Sequence, residues 1–275
     1  MVTSIQEPTE PRFWRDDTLP FIEARSILNG RKVSYARHAH ETFSIGVVGA
    51  GHCTYANGKT LERIGAGSVV VMNPGDAHAC NPIDDGQWSY RMLYVDVPWL
   101  VDIQRDLGIS GNDQLRPFST TVTTQARLYD GLNRLYDTLL DPQAEHLQKH
   151  DATVAFMVEV QQALSPAQDS PRHGHRGLMR AADFIRDNYA RSLKLDEICS
   201  AANLSASYLI RSFKNEYGMT PHAYLINCRI EFCRAQLRRG RPIAEVAVAA
   251  GFADQAHLQR SFKKAVAATP GQYQG

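Results

Sequence analysis

The sequence has few cysteines, and their spacing excludes several common uses. Five cysteines occur in 275 residues, and no two of them form a Cys-x-x-Cys pair. An odd, scattered set disfavours a disulfide framework or a cysteine-based zinc site. It fits a reduced, cytoplasmic setting.

Long apolar stretches and enzyme signatures are also lacking. The longest unbroken apolar run, counting glycine, extends from Val246 to Ala253, whereas a membrane-spanning helix needs about 20 residues. The first residues, MVTSIQEPTEPRFWRDD, carry acids and prolines where a signal peptide has basic and then apolar residues. No Ser-His-Asp spacing, phosphate loop or dinucleotide fingerprint is present. We therefore expect no membrane contact, no secretion by that route, no enzymatic activity and no cofactor.

Acidic residues are scarce in only one part of the chain. Residues 1–171 contain 14 basic and 21 acidic residues, a net charge of −7, whereas residues 172–275 contain 16 and 8, a net charge of +8. Such an asymmetry indicates that one part of the protein meets a polyanion. Double-stranded DNA is the expected partner, because its phosphates attract a basic surface.

The first half has the pattern of a β-rich domain. Short apolar and aromatic runs at 43–48, 68–72 and 90–97 alternate with clusters of Gly, Asn, Pro and Asp. Short strands separated by turn signals predict a barrel or sandwich over 21–112. Residues 1–20 lack periodicity and are interpreted as an N-terminal tail or an edge segment.

The pattern becomes helical after about Asp113. Leu128, Leu132, Leu135 and Leu139 recur at helical spacing, and a second helix is predicted over 152–164. The leucine stripe of this segment, 113–165, either pairs with a second copy of the chain or packs on its own barrel. Residues 166–177 have the composition of a linker, so we predict an α+β protein of two domains, the second all-α.

An internal repeat is the most informative feature of the second domain, 178–275. Residues 195–214 and 243–263 share an apolar-x-Glu-apolar start, an Ala-Ala pair, a break at Asn203 or Gly251, and the ending Leu-x-Arg-Ser-Phe-Lys. This predicts two helix-turn-helix units, 195–217 and 243–265, joined by a helix over 221–239. A helical bundle with a merely structural duplication is the alternative.

The second helix of each unit has a polar face suited to a DNA groove. Arginine reads guanine, glutamine reads adenine and lysine meets phosphate. The polar residues are Ser207, Arg211 and Lys214 in the first unit, and Asp254, Gln255, Gln259, Arg260 and Lys263 in the second.

These motifs resemble the AraC/XylS family of bacterial transcription regulators. The resemblance rests on SFKNEYGMTP (212–221), RIEFCRAQL (229–237), IAEVAxAAGF (243–252) and SFKK through TPGQY (261–273). It implies that both recognition helices enter successive major grooves, and it adds Ala206 and Ile210 to the base-facing positions. It also implies a transcription regulator, more often an activator working with RNA polymerase, and we expect a homodimer.

The first half resembles the cupin-like sensor domain of the same family. The carrying motifs are His38-Ala-His40, the run from Gly67 to His78, and the run from Trp88 to Tyr94. The resemblance implies a barrel that binds a small effector, usually an organic molecule without metal. The expected lining residues are His38, His40, His78, Tyr90, Met92 and Tyr94.

A three-histidine metal site is the alternative for the same residues. His38 and His40 would share one face of a strand, with His78 on a neighbouring strand. Metal-binding cupins often add a glutamate a few residues later, but Phe43, Ser44 and Ile45 occupy that stretch. The corresponding alternative function is a metal-cupin enzyme or metal sensor fused to a DNA-binding domain.

Overall fold

A computed structural model describes residues 10–31, 33–83, 86–110, 114–164 and 176–275. Within these residues, eight strands come first, then a helix, a ninth short strand and two more helices. Seven further helices follow. The strands are β1 (Arg12–Trp14), β2 (Ile22–Ile27), β3 (Phe43–Ala50), β4 (His52–Asn57), β5 (Thr60–Gly65), β6 (Val69–Met72), β7 (His78–Pro82), β8 (Ser89–Val95) and β9 (Val122–Thr123).

The strands form two antiparallel sheets. The larger has the order β1-β2-β8-β3-β6-β9, and the smaller has the order β5-β4-β7. Strands β4 and β5 form a hairpin whose turn consists of Gly58 and Lys59, since Asn57 pairs with Thr60. Gly58 has φ of 55°, a conformation that glycine adopts without steric cost.

Alternation along the strands gives the larger sheet two different faces. Val69 and Val71 belong to a core shared with three helices, whereas Val70 and Met72 belong to the core between the two sheets. The three helices are α1 (Val97–Asp106), α2 (Ala126–Leu140) and α3 (His146–Ala163). The domain is therefore layered as small sheet, large sheet and helices.

Of the two interpretations of residues 1–20, the edge segment holds for residues 12–14, because β1 pairs with β2 at the edge of the large sheet and Leu19 is fully buried. Another feature of this half differs from the sequence predictions. Helix α1 lies inside the segment predicted to be β-rich. Pro98 at its first turn was a usable signal for a helix start.

The leucine stripe packs on the barrel of its own chain. Leu128, Leu132, Leu135 and Leu139 are at most 2% exposed and share a core with Phe43 and other residues of the large sheet. The dimerisation interpretation of the stripe is wrong for this reason: its apolar face is already covered by β-sheet and by α3.

The second half is helical throughout. Its helices are α4 (Arg176–Asp187), α5 (Leu195–Ala202), α6 (Ala206–Tyr217), α7 (Pro221–Arg238), α8 (Ile243–Ala249), α9 (Gln255–Val266) and α10 (Pro270–Gln274). The predicted linker 166–177 lies outside the described residues, except for Arg176 and Gly177, which begin α4. None of the helices in the described ranges is long and apolar enough to cross a bilayer.

The two helix pairs, α5–α6 and α8–α9, end their first helices in the same way. Asn203 has φ of 54° and Gly251 has φ of 82°, both in the left-handed region that stops a helix. Leu209 and Phe213 then face one core, and Leu258 and Phe262 face another. Helix α7 contributes to both cores and so joins the two units.

Candidate effector cavity and nucleic-acid interface

A small cavity of about 40 Å³ lies between the two sheets of the first domain. Such a volume holds a few water molecules. Its lining is aromatic and apolar except for three histidines. All six residues predicted to line a cavity do so: His38, His40, His78, Tyr90, Met92 and Tyr94.

Strand β8 shows why the alternating residues reach the cavity. Tyr90, Met92 and Tyr94 point to the cavity side, whereas Leu93 is fully buried on the helix side of the sheet. Sequence reasoning missed further lining residues on β3, β4, β6 and β7, in the segment between β2 and β3, and just before β8. These are Tyr35, Val47, Val48, Tyr55, Val70, Met72, Cys80 and Trp88. The alternation of Val70 and Met72 was a usable signal, but Tyr55 and Cys80 meet only through strand pairing.

The three histidines form a cluster at one end of the cavity. His38 bridges to His78 through backbone hydrogen bonds, which brings the two chain segments together. The ring centroids lie 4.5 to 4.9 Å apart. Ala39 points away from this cluster and packs with Ala77 and Met219.

Hydrogen bonds fix the orientation of two of these rings. Nδ1 of His38 lies 2.9 Å from the carbonyl oxygen of Ala36, and Nδ1 of His78 lies 2.8 Å from that of Asp76. A carbonyl only accepts, so both Nδ1 atoms carry the proton and donate it. In the neutral form of each ring, Nε2 therefore carries the lone pair.

The surroundings of all three histidines favour the neutral ring. Burial, then the neighbouring rings of His78 and His40, lower the pKa of His38 well below its ordinary value near 6.5. Burial and the Arg234 guanidinium do the same to the pKa of His40. Burial also lowers the pKa of His78, although the Asp76 carbonyl opposes the shift.

The third histidine is contacted from the other domain. Nη1 of Arg234, on α7, donates a hydrogen bond of 2.9 Å to Nδ1 of His40. Arg234 is 6% exposed, and Nη1 also donates to Glu231 Oε1 at 3.0 Å. Glu231 Oε1 lies 3.9 Å from the same Nδ1. A cavity-lining side chain is thus in direct contact with the central helix of the second domain.

Further hydrogen bonds connect the two domains around this contact. The Asn227 side chain, on α7, bonds both backbone groups of Ala39, at 3.0 and 3.1 Å. The Ala36 N–H donates to the Lys264 carbonyl at 2.8 Å, and Arg25 donates to the Val266 carbonyl at 2.6 Å. The end of α9 is therefore held by the sensor domain. In the sequence, Arg234 had the pattern of an ordinary basic residue near a helix end, and nothing in that pattern indicated this role.

The first recognition helix, α6, presents the residues expected on it. Ser207, Ile210, Arg211 and Lys214 are exposed, and Ala206 is half-buried. Leu209 and Phe213 are fully buried on the opposite side. The polar face is therefore open to a nucleic acid.

The second recognition helix, α9, differs from α6 at its N-terminus, where a side chain caps it. Gln255, Gln259, Arg260 and Lys263 are exposed. The Asp254 carboxylate accepts a 2.6 Å hydrogen bond from the His257 N–H and so serves as the N-cap of the helix. This capping role competes with the base contact predicted for Asp254.

The basic end of α9 lies in a groove that it shares with the sensor domain. The groove has a volume of about 520 Å³ and is lined by Arg260, Lys263 and Lys264 on one side. Val33 and Ser34 of the sensor domain lie on the other side. The face of α9 that is expected to meet DNA therefore opens onto the other domain in this arrangement.

Comparison with known proteins identifies both domains. Residues 23–155 match the AraC-like ligand binding domain, and residues 198–275 match a helix-turn-helix domain. A cavity-bearing sensor domain joined to two helix-turn-helix units defines a DNA-binding transcription regulator with a ligand-binding domain. The chain belongs to the AraC family of these regulators.

Individual relatives agree with this assignment. The chain is 27% identical to the transcriptional regulator YbfI of Bacillus subtilis over 227 residues, which cover 82% of this chain and 81% of YbfI. It is 22% identical to the transcriptional activator RhaS of Pectobacterium carotovorum, with 87% of each chain covered. Its fold is similar to that of ToxT from Vibrio cholerae, solved with an unsaturated fatty acid bound, at a TM-score of 0.56 and 13% identity over 98% of this chain and 96% of ToxT. These comparisons do not favour the alternative function, a metal-cupin enzyme or metal sensor fused to a DNA-binding domain.

Proposed function

We propose that a small organic effector binds in the cavity and changes DNA binding through the contact between His40 and Arg234. One observation carries the proposal: His40 lines the cavity and also accepts a hydrogen bond from α7, which joins the two helix-turn-helix units. A ligand shifts a conformational equilibrium only if it interacts differently with the two states. A ligand that bonds to His40 meets this condition, since it competes with Arg234.

The effector contacts we propose are His38, His40, His78, Tyr90, Met92 and Tyr94. The aromatic walls suit a cyclic or otherwise apolar body, and the histidines suit a polar group at one end. The bound fatty acid of ToxT is consistent with an organic ligand in this fold. Because the cavity is only about 40 Å³, we expect it to enlarge when the effector enters. Met92 is an unbranched side chain that repacks easily.

The DNA contacts we propose come from both recognition helices. Arginine and glutamine side chains would read bases and lysines would meet phosphates. The proposed residues are Ala206, Ser207, Ile210, Arg211 and Lys214 of α6, and Gln255, Gln259, Arg260 and Lys263 of α9, with Asp254 also acting as a cap.

The groove beside α9 gives the direction of the effect. Arg260 and Lys263 share the groove with Val33 and Ser34, so the sensor domain restricts the access of DNA to α9. Effector binding would release this arrangement and strengthen DNA binding. We further propose that the protein acts in the cytoplasm as a homodimeric activator that contacts RNA polymerase, in line with the name of RhaS.

The first experiment is footprinting of the purified protein on DNA from its own upstream region, across a salt series and with random DNA as competitor. We expect a protected site that resists the competitor and an affinity that falls steeply with salt, because several phosphates are neutralised. Binding that random DNA abolishes at the same concentration would contradict specific regulation at this site.

The link to the cavity is tested with Arg234→Met. Loss of the guanidinium removes the contact with His40 while the length of the side chain is kept, so the variant should bind the same DNA several-fold more tightly without effector. Arg239→Met is the matched control. It removes the same charge, but Arg239 is exposed at the end of α7. Equal affinities for the Arg234→Met variant and the wild-type protein would contradict the proposed route.

A further inference from the structure

We propose that His38, His40 and His78 bind a divalent transition-metal ion, and that loading this ion makes His40 exchange Arg234 for Glu231 as its partner. This goes beyond the proposed organic effector, and it does not require that effector to exist.

The three rings are close enough for small movements to bring them around one metal ion. One candidate ligand atom from each ring lies within 4.8 Å of the others, and all three side chains are buried. Nitrogen ligands about 2.0–2.1 Å from a tetrahedral ion lie roughly 3.4 Å apart, so a contraction of at most about 1.4 Å completes the set. Three neutral nitrogens without a carboxylate suit Zn²⁺, Co²⁺, Ni²⁺ or Cu²⁺ and disfavour Mg²⁺ or Ca²⁺.

Two of the rings already have the hydrogen bonds that metal-bound histidines use. A ligating histidine usually donates its other N–H to a carbonyl or carboxylate, which fixes the tautomer and aims the lone pair. His38 and His78 do this through Ala36 and Asp76, at 2.9 and 2.8 Å. Their lone pairs are on Nε2, and the adjoining cavity leaves room for a fourth ligand such as water.

The proton of His40 is on the other ring nitrogen. Its Nδ1 accepts from Arg234, so in the neutral ring the proton is on Nε2. Ligation through Nε2 requires the proton to move to Nδ1, where it would face the N–H of Arg234. Ligation through Nδ1 itself displaces Arg234 as well. Either mode of metal binding therefore breaks the contact between His40 and Arg234.

Glu231 is placed to replace Arg234. Its Oε1 lies 3.9 Å from Nδ1 of His40, and it would accept the relocated N–H after a small movement. The ring stays neutral, since the proton only changes nitrogen. The exchange also places a carboxylate, in place of a guanidinium, in direct contact with a ring that binds a dication. Arg234 and Glu231 are both on α7, so binding of the ion would change the contacts of a helix in the DNA-binding domain.

The test is a Co²⁺ titration of the metal-free, full-length protein without a His tag, followed by visible absorption. We expect one ion per chain with the intense bands of a tetrahedral site. His38→Ala and His78→Ala should abolish these bands, whereas His52→Ala, at an exposed position on β4, should leave them unchanged. Absence of the bands in the wild-type protein, or their persistence in His78→Ala, would overturn the site.

Two further variants test whether His40 exchanges Arg234 for Glu231 as its partner. Glu231→Gln should weaken Co²⁺ binding about tenfold, as loss of an outer-shell partner does. Arg234→Met should strengthen it by a similar factor, because the competing donor and its charge are gone. Circular dichroism and denaturant unfolding of each variant separate these effects from misfolding. Equal Co²⁺ affinities for both variants and the wild type would overturn the exchange, and because the readout needs no DNA, this failure is distinguishable from failure of the proposed regulation.

Discussion

The side-chain amide of Asn227 pairs with both backbone groups of Ala39, the residue between two cavity histidines. The Ala39 N–H donates to Asn227 Oδ1 at 3.0 Å, and Asn227 Nδ2 donates to the Ala39 carbonyl at 3.1 Å. An amide has one donor and one acceptor group in the geometry that a peptide requires. Asn227 therefore holds the segment containing His38 and His40 at a fixed position against α7.

Asn227→Asp should lower the free energy of unfolding more than the same substitution at an exposed position, although it only replaces the side-chain NH2 group by an oxygen. The carboxylate keeps the acceptor for the Ala39 N–H but sets an oxygen against the Ala39 carbonyl. We expect a loss of about 1–3 kcal/mol in the free energy of unfolding. Denaturant unfolding measures this, and Asn215→Asp on the exposed face of α6 is the matched control. Equal losses at the two positions would mean that the pairing with Ala39 contributes nothing.

Glu23 should make the domain contact sensitive to acid. Its carboxyl is nearly fully buried, and burial alone would raise its pKa. The guanidinium groups of Arg234 and Arg15 together lower the pKa below its ordinary value near 4.5. A carboxyl whose pKa is lower in the folded state stabilises that state above the unfolded pKa and loses the contribution as pH falls through the folded pKa. The free energy of unfolding should therefore decline below about pH 4.5 more steeply in the wild type than in Glu23→Gln. Parallel pH profiles for the two proteins would contradict this role of Glu23.

The helix-turn-helix units could be predicted from the sequence because their signals are local. Within each unit, the turn residue (Asn203 or Gly251), the apolar spacing around Leu209 or Leu258, and the shared ending lie within one short stretch, 195–214 or 243–263. The cavity histidines could also be predicted from the two-residue spacing of His38 and His40. The strand expected there is absent, however: the two residues precede β3, and His38 forms an isolated bridge with His78.

The link between the domains could not be predicted, for a physical reason. Arg234 and His40 are 194 positions apart, and a basic residue near a helix end has the same pattern whether it faces solvent or a buried ring. The leucine stripe is ambiguous in a similar way, because Leu132 is apolar at helical spacing whether it packs on its own barrel or on a second chain. Only the tertiary contacts distinguish these cases.

Asp254 offers a test of whether a residue on the DNA face caps its helix or also reads a base. Asp254→Ala should lower the free energy of unfolding by about 1 kcal/mol, because the His257 N–H loses its acceptor. Asp254→Ser should restore most of this stability. If Asp254 only caps α9, the serine variant keeps the DNA sequence preference of the wild type, as measured by binding to a library of single-base operator variants. A changed preference at one position with normal stability would instead show a base contact.

Leu132→Ala should destabilise the single chain and leave its association state unchanged. The side chain is fully buried between the barrel and α3, and truncation of a core leucine typically costs about 2–5 kcal/mol. Denaturant unfolding and sedimentation of the same samples measure both quantities. Leu147→Ala on α3, at 65% exposure, is the matched control and should cost little. A change in sedimentation without a loss of stability would revive a dimer interface at the stripe.

The two left-handed helix ends should respond differently to alanine. At Gly251 an added Cβ would lie 2.4 Å from the carbonyl oxygen of Ala190, a backbone atom that has little freedom to move, and φ of 82° is itself unfavourable for alanine. At Asn203 only the backbone conformation opposes the change, at a cost of roughly 1–2 kcal/mol. Gly251→Ala should therefore lower the free energy of unfolding clearly more than Asn203→Ala, while Asn203→Gly should be nearly neutral. Urea unfolding of the three variants provides the comparison. If Gly251→Ala proved as mild as Asn203→Ala, the close approach of the Ala190 carbonyl would not constrain the second helix-turn-helix unit.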